Sequence, residues 1–201
     1  MQKLFVFTAV VAVLLVGAGC KSKSKDIMPL TVGNAWTYEG YMLQSTDTVA
    51  TTTMNVKVEK TATLTSGESV FEMSTTSAMH LRTPDTTITT TSTSYAREAG
   101  DAILSYTSLS DSTGDTVIMT DLSVGKKWTS GSGTDEVIAQ ENVTVGAGTY
   151  SDAWKIKGTI SGDVMYEWFA PGVGLVKTDG TSEEQDVTYT IHSELTEVTI
   201  K

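Results

Sequence analysis

Apolar and polar residues alternate along much of the chain, which is the pattern of a strand with one buried face. In residues 53–59, Met54, Val56 and Val58 share one phase and polar residues occupy the other. Residues 153–160 and 187–195 alternate in the same way. A period of two residues predicts half-buried antiparallel strands. No helical period is found beyond residue 20, so the pattern predicts an all-β fold.

Clusters of Gly, Asp and Ser separate these segments, as hairpin turns require. Their spacing predicts an antiparallel meander of about 11–12 strands, forming a curved sheet, an open barrel or a sandwich. A short helix-like stretch is better explained as two strands joined near Glu98–Gly100. After Leu195 the apolar phase shifts to Val198, which predicts a β-bulge near Thr196–Glu197.

The chain contains two similar stretches, LTVGNAWT at residues 30–37 and LSVGKKWT at residues 122–129. Gly33 corresponds to Gly125, and Trp36 corresponds to Trp128. Weaker similarities follow in the same order. We therefore expect one all-β domain, residues 28–201, made of two pseudo-repeats at about 28–119 and 120–201. Each half alone would bury little surface and would have open edges.

The first residues form a separate unit. Lys3 precedes an apolar run at residues 4–16, and GAGC at residues 17–20 follows. This order predicts a signal peptide at residues 1–19. Cys20 is the only cysteine and is the expected site of lipidation, with acyl chains such as palmitate as the anchor. Residues 20–27 are the lipidated cysteine and its tether.

Composition narrows the functional classes. The 35 threonines favour strands. Removal of residues 1–19 leaves 182 residues and takes away one lysine, so the net charge falls from −10 to −11. An acidic chain of this kind argues against nucleic acid as a partner. With the only cysteine lipidated, a disulfide is excluded and stability must come from a hydrophobic core.

The stretches MPLTVGNAWTY, VGAGTYSDAWKI and WFAPGVGLVK (from residues 28, 145 and 168) resemble a recurring pattern in bacterial envelope lipoproteins of unknown function. The resemblance implies an all-β, periplasm-exposed module of the cell envelope. It implies no catalytic residues. Lys21, rather than an aspartate, follows Cys20. This resembles the default outer-membrane signal of lipoproteins, so we expect the outer membrane, facing the periplasm or the cell surface. A more remote similarity, at the level of fold alone, links the chain to the curved sheets of lipoprotein carriers.

The residues that could support catalysis or metal binding are few and scattered. His80 and His192 have no converging partners in the sequence, so we expect surface roles. Asp111 and Asp115 flank a glycine but lack the other ligands of a calcium loop, and a hairpin tip explains them. We therefore expect no enzyme activity, no metal and no cofactor other than the covalent lipid on Cys20.

The candidate groove or core aromatics are Trp36, Trp128, Trp154 and Trp168, and the expected structural turn residues are Gly33, Gly125, Pro171, Gly172 and Gly174. Large aromatics usually fill small β cores, although some of these four could line a groove. The expected function is a lipid-anchored, non-catalytic binding or interaction module. The alternative is a carrier that shelters acyl chains in a concave sheet. Expected partners are the membrane, through the anchor, and an envelope protein or lipid ligand.

Overall fold

The computed structural model describes residues 26–131, 133–160, 162–184 and 187–201. The predicted signal peptide, Cys20 and most of the tether lie outside these residues. Every regular element in the described part is a β-strand, which confirms the predicted all-β class and the strand number. The twelve strands are β1 (Ala35–Gln44), β2 (Asp47–Thr63), β3 (Ser69–Arg82), β4 (Asp85–Ala99), β5 (Ala102–Tyr106), β6 (Asp115–Met119), β7 (Lys127–Ser130), β8 (Gly133–Val145), β9 (Gly148–Ile160), β10 (Asp163–Ala170), β11 (Gly174–Glu184) and β12 (Val187–Thr199).

The strands form one antiparallel sheet whose order is β6-β5-β4-β3-β2-β1-β12-β11-β10-β9-β8-β7. The first and last strands pair at its centre, and the edge strands β6 and β7 contact each other. The sheet is therefore a nearly closed barrel, which decides between the barrel and the sandwich. The predicted bulge is present, because Thr37 pairs with Glu197 and Tyr38 pairs with Leu195, which leaves Thr196 as the extra residue.

One end of the barrel, which we call the closed end, is filled by large side chains. Trp36 and Tyr38 on β1 are 1% and 2% exposed, and Phe169 on β10 is 2% exposed. The β10–β11 turn folds beneath them, since Trp36 Nε1 donates to the Val173 carbonyl (2.7 Å) and Tyr38 Oη donates to the Leu175 carbonyl (3.0 Å). Burial of these rings supplies the main stabilisation of this end.

The N-terminal segment completes the closed end. Met28 is 1% exposed and lies against Gly174, where an added Cβ would stand 3.0 Å from Met28 Cγ. Gly172 N donates to the Asp26 carbonyl at 2.5 Å. The turn itself has Pro171 followed by Gly172 at φ +79°, and Val173 N donates to the Ala170 carbonyl, which is the geometry of a type II turn.

The two similar sequence stretches form turns with the same backbone hydrogen bonds. Asn34 N donates to the Thr31 carbonyl, and Gly33 N donates to the carbonyl of Val58 on β2. Equivalent bonds join Lys126 to Ser123, and Gly125 to Val137 on β8. The φ angles are +91° at Gly33 and +89° at Gly125. We propose on this basis that the two halves are structural repeats.

A substitution at Gly125 tests whether its positive φ is required. We expect Gly125→Ala to lower the free energy of unfolding by about 1 kcal/mol, because an L-residue is strained at this φ. Open space surrounds the site, so a steric clash does not contribute. Gly125→Asn is the matched control and should cost less, since Asn tolerates positive φ better. Urea denaturation measures both, and equal losses would contradict the explanation.

Candidate functional site

The inward face of the sheet can be followed from β1, where Trp36 and Tyr38 are buried. Alternation continues this face through Gly40 and Met42, towards the other end of the barrel. Residues opposite one another in a ladder share a face, so the register extends it across the sheet. The inward-facing apolar residues beyond the core, which we call the apolar wall, are Met42, Ala50, Met79, Leu81, Ile88 and Ile191.

Most of the apolar wall is only half-buried. Of its six members, only Ala50 is fully buried. At the closed end, by contrast, Leu195 and Val56 on the same face are 0% and 1% exposed. Side chains from the opposite side therefore do not cover the apolar wall. This half of the interior, which we call the open end, presents accessible apolar surface.

The sheet is also open along one side. β4 pairs with β5 only from Tyr95 to Ala99, so residues 85–94 have a neighbour on the β3 side and none on the other among the described strands. β5 and β6 have five residues each, whereas β4 has 15. The short strands close the barrel only near its closed end. A ligand could therefore reach the open end from the rim or from this side.

The wall opposite, formed by β8 to β10, carries carboxylates. Met165 and Glu167 on β10 face inward, because they alternate with Trp168 and share the phase of Phe169. Asp135 on β8 faces inward opposite Gly158. We call Asp135 and Glu167, together with Asp163 nearer the rim, the acidic wall. Asp163 Oδ2 accepts a hydrogen bond from the Ser182 hydroxyl at 2.9 Å.

Burial changes the acidity of two of these groups. Burial, together with the smaller effect of the negative charge of Asp135, raises the pKa of Glu167 from 4.5 to about 7. Burial also raises the pKa of Asp135 from 3.8 to about 6, although the neighbouring Ser130 and Trp128 side chains lower it in part. Glu167 nevertheless keeps some accessible surface. It therefore lies deep in the interior and still borders the open space.

Two inward glycines give the side chains of this region room to lie flat on the sheet. A Cβ at Gly180 would stand 2.1 Å from Met165 Sδ, and one at Gly158 would stand 2.9 Å from Asp135 Oδ1. Met165 and Asp135 therefore occupy the places where neighbouring side chains would otherwise stand.

Trp128 lies at the edge of the acidic wall, directly opposite Asp135. It is half-buried, and its Nε1 is buried without a hydrogen bond of ordinary geometry in the described part of the protein. The indole N–H nevertheless lies close enough to the Asp135 carboxylate to lower its pKa, so Asp135 is the nearest acceptor for this donor.

No cationic side chain faces the interior on the described strands. Lys155 and Lys157 alternate with the buried Ile156, and Lys177 alternates with the buried Thr178, so all three point outward. The same alternation places Lys57, Lys60, His80, Arg82, Arg97, Lys127 and His192 on the outer face. The charge inside the open end is therefore negative.

The structure distributes the other candidate tryptophans to different places. Trp36 fills the closed end, and Trp154 is half-buried against the same core beside Phe169. Trp168 is on the outer face, where Lys155 Nζ and Lys177 Nζ each lie 4.7 Å from its ring. Its Nε1 donates to Glu141 at 2.7 Å. The four tryptophans do not form one groove, and only Trp128 borders the open end.

Histidine chemistry is confined to the outer face. His192 Nδ1 lies 2.6 Å from Asp179 Oδ1, and its ring stacks on Tyr41 at 4.8 Å. Its Nε2 faces Glu194 Oε2 at 3.8 Å, where a nucleophile would be needed for a catalytic triad. His80 lies near Thr87 and Asp85 on the β3–β4 hairpin.

Asp111 serves its own loop. Its Oδ2 accepts hydrogen bonds from Thr107 N, Thr107 Oγ1 and Ser108 N, all at 2.9 Å. Within the described ranges, no group of three or more His, Cys, Asp or Glu side chains is arranged to hold a metal ion. The same residues include no helix that is long and apolar enough to cross a membrane.

Sequence reasoning missed the residues that define the open end. A signal for Glu167 was present, because it occupies the apolar phase between Met165 and Phe169. Asp135 similarly shares the phase of Val137. A carboxylate on the buried phase of a strand indicates an unusual interior. The accessible methionines had no such signal, since a core methionine and a cavity methionine look alike in sequence.

Two solved structures are similar to this chain. One is a candidate lipoprotein from Parabacteroides distasonis ATCC 8503, with 16% identity, a TM-score of 0.49 and coverage of 89% of this chain and all of that one. The other is a candidate exported protein with a YmcC-like fold from Bacteroides fragilis NCTC 9343, with 11% identity, a TM-score of 0.50 and coverage of 86% and 98%. At this identity the second establishes fold similarity alone. No family model matches the sequence, and no curated protein matches it significantly.

The raised pKa of Glu167 predicts a pH-dependent stability. The folded state holds the Glu167 proton up to about pH 7, whereas the unfolded chain releases it near pH 4.5. This contribution is therefore complete below pH 4.5 and is lost as pH rises through 7. Glu167→Gln should remove that loss. Between pH 4.5 and pH 8, the free energy of unfolding of the native chain should therefore fall by up to about 3 kcal/mol more than that of the variant. Urea denaturation across this range measures it, with the exposed Glu197→Gln as control. Parallel curves for all three chains would contradict the prediction.

Proposed function

We propose that this protein is a lipid-anchored, non-catalytic binding module of the bacterial envelope, and that the open end of its barrel is the binding site. The observation that carries the proposal is the half-buried apolar wall, which includes Met42, Met79 and Ile191. Sites for small molecules are concave and mostly apolar, with a few polar groups that orient the ligand. Flexible methionines suit a surface that adapts to chains of varied shape.

The anchor rests on the sequence order of charged, apolar and small residues before Cys20. A protein with a similar fold is described as exported, which supports export for this chain. Acyl chains on Cys20 would hold the protein at a membrane, and we propose the outer membrane. Within the chain itself, this proposed localisation depends only on the predicted signal peptide and on Cys20.

The absence of a catalytic role is part of the proposal. Both His–Asp pairs of the described chain, His192 with Asp179 and His80 with Asp85, lie on the outer face, away from the apolar wall. The second nitrogen of His192 faces a carboxylate. Inside the barrel the reactive groups are carboxylates without a partner nucleophile among the described residues. Binding is therefore the activity that the interior supports best.

The second candidate function is a carrier of acyl chains, and the accessible apolar wall also favours it. A carrier differs from a fixed binding module in releasing its ligand to a partner. Native mass spectrometry of the protein from its own host would detect a co-purified lipid. Crosslinking in cells would detect a protein partner.

Replacement of the lipidated residue tests the anchor. We expect Cys20→Ser to move the protein from the membrane fraction to the soluble fraction, because the acyl chains supply the membrane affinity. Cell fractionation followed by immunoblotting measures this. Lys21→Ser, which leaves the thiol in place, is the control and should stay with the membrane. Cys20→Ser protein that remains in the membrane fraction would refute the proposed anchor.

A variant in the apolar wall tests the binding site. The soluble Cys20→Ser chain should enhance the fluorescence of N-phenyl-1-naphthylamine, a neutral apolar dye. Met79→Lys should weaken dye binding by about tenfold, because it places a charge in the apolar wall. Met79→Trp, which fills space without a charge, should also weaken it.

The matched control for these variants is Ala78→Lys, which adds the same charge to the outward face of the same strand. It should bind the dye as the parent chain does. Circular dichroism would establish that each variant keeps its β content. Equal dye binding by the parent chain and both Met79 variants, or no binding by the parent chain, would refute the open end as the site.

A further inference from the structure

We propose that the open end selects amphiphiles that carry an ammonium head group on an apolar tail, and that it discriminates against those with anionic heads. This inference rests on the proposed binding site and adds the chemical class of its ligand. The observation behind it is that the inward face of the barrel carries half-buried apolar residues on one side and carboxylates on the other.

The apolar wall would take the tail. Met79 and Ile88 face each other across the β3–β4 ladder, and Met42 and Ile191 face each other across the β1–β12 ladder. All four are half-buried. Contact with a hydrocarbon tail would remove this surface from water, which is favourable by about 25 cal/mol per Å².

The acidic wall would take the head. Glu167 lies deep in the interior, Asp135 lies one level nearer the rim, and Asp163 follows at the rim itself. The three carboxylates therefore form a line from the rim inward. Because the described strands direct every Lys, Arg and His outward, no inward cation neutralises them. An ammonium group would relieve the repulsion between these carboxylates, and an anionic head would add to it.

Protonation of the two inner carboxylates should regulate this selectivity. Burial raises the pKa of Glu167 to about 7 and that of Asp135 to about 6. Both groups are therefore charged at pH 8 and mostly neutral at pH 5. The preference for a cationic head should be large at pH 8 and small at pH 5.

The groups packed around these two carboxylates must be considered with them. Ser130 and Trp128 lie near Asp135, and Tyr38 lies near Glu167. Tyr38 is buried, which raises its pKa far above neutrality, so it stays uncharged in this range. Trp128 is neutral at every pH, and its indole N–H lies beside the Asp135 carboxylate. On the described strands, no other charged side chain gives the interior a positive charge.

Competition with the neutral dye tests the proposal in the Cys20→Ser chain. Dodecylammonium, dodecyltrimethylammonium and dodecyl sulfate have tails of the same length, keep their charge at both pH 5 and pH 8, and would be used below their micelle concentrations. At pH 8 both ammonium compounds should displace the dye at concentrations at least about tenfold lower than dodecyl sulfate does, a difference of about 1.4 kcal/mol. At pH 5 the ratio should fall towards one.

Asp135→Asn combined with Glu167→Gln provides the variant arm. It removes both charges while keeping the shape of the wall, so it should bind the dye normally and lose most of the preference at pH 8. Glu39→Gln together with Glu197→Gln removes the same charge from the outer surface and should keep the preference.

The outcomes separate the two proposals. Dye binding with equal displacement by all three amphiphiles, or a preference that the double variant retains, would overturn the head-group inference and leave the binding site standing. A native chain that does not bind the dye would refute the site itself, and the inference would fall with it.

Discussion

The pairing of β1 with β12 is the contact on which the rest of the structure depends. It joins the two ends of the described chain through a ladder from Ala35–Thr199 to Gln44–Tyr189. Without this ladder the protein would be two six-stranded sheets with open edges, each able to pair with another chain. Closing so long a loop has an entropic cost. Burial of Trp36, Tyr38 and Leu195 along the seam and the hydrogen bonds from the two rings to the β10–β11 turn offset that cost.

The width of the barrel explains why its two ends differ. Side chains can just fill an eight-stranded barrel, whereas twelve strands enclose a wider interior. At the closed end the chain fills this extra width with backbone, since the segment around Met28 and the turn at Pro171–Val173 both enter beneath Trp36. At the open end no segment of the described chain does the same. The apolar wall is therefore accessible for two reasons: the barrel has twelve strands, and the segments that fill its interior enter only at the closed end.

The strands, the turns and the bulge at Thr196 could be predicted because each depends on local sequence. Alternation gives the face of every residue, and positive φ requires glycine at positions such as Gly33. The order of the sheet could not be predicted, because a period of two does not identify a partner strand. The site was missed for the same reason: the strands that carry Glu167 and Met79 belong to one sheet only through the β1–β12 pairing. The sequence also did not indicate which tryptophans face outward, and Trp168 packs between two lysines on the outer face.

The N-terminal segment, which helps to fill the closed end, also relates the proposed anchor to the proposed binding site. Asp26 is bound to the β10–β11 turn at the closed end through Gly172 N. Cys20 precedes Asp26 by six residues, which span at most about 20 Å when fully extended. An acyl anchor on Cys20 would therefore keep the closed end near the membrane surface. The rim beyond Met42 lies at the other end of the strands and would face the aqueous compartment. A ligand of the proposed site would then enter from the aqueous side or along the edge of β4 that has no neighbour among the described strands.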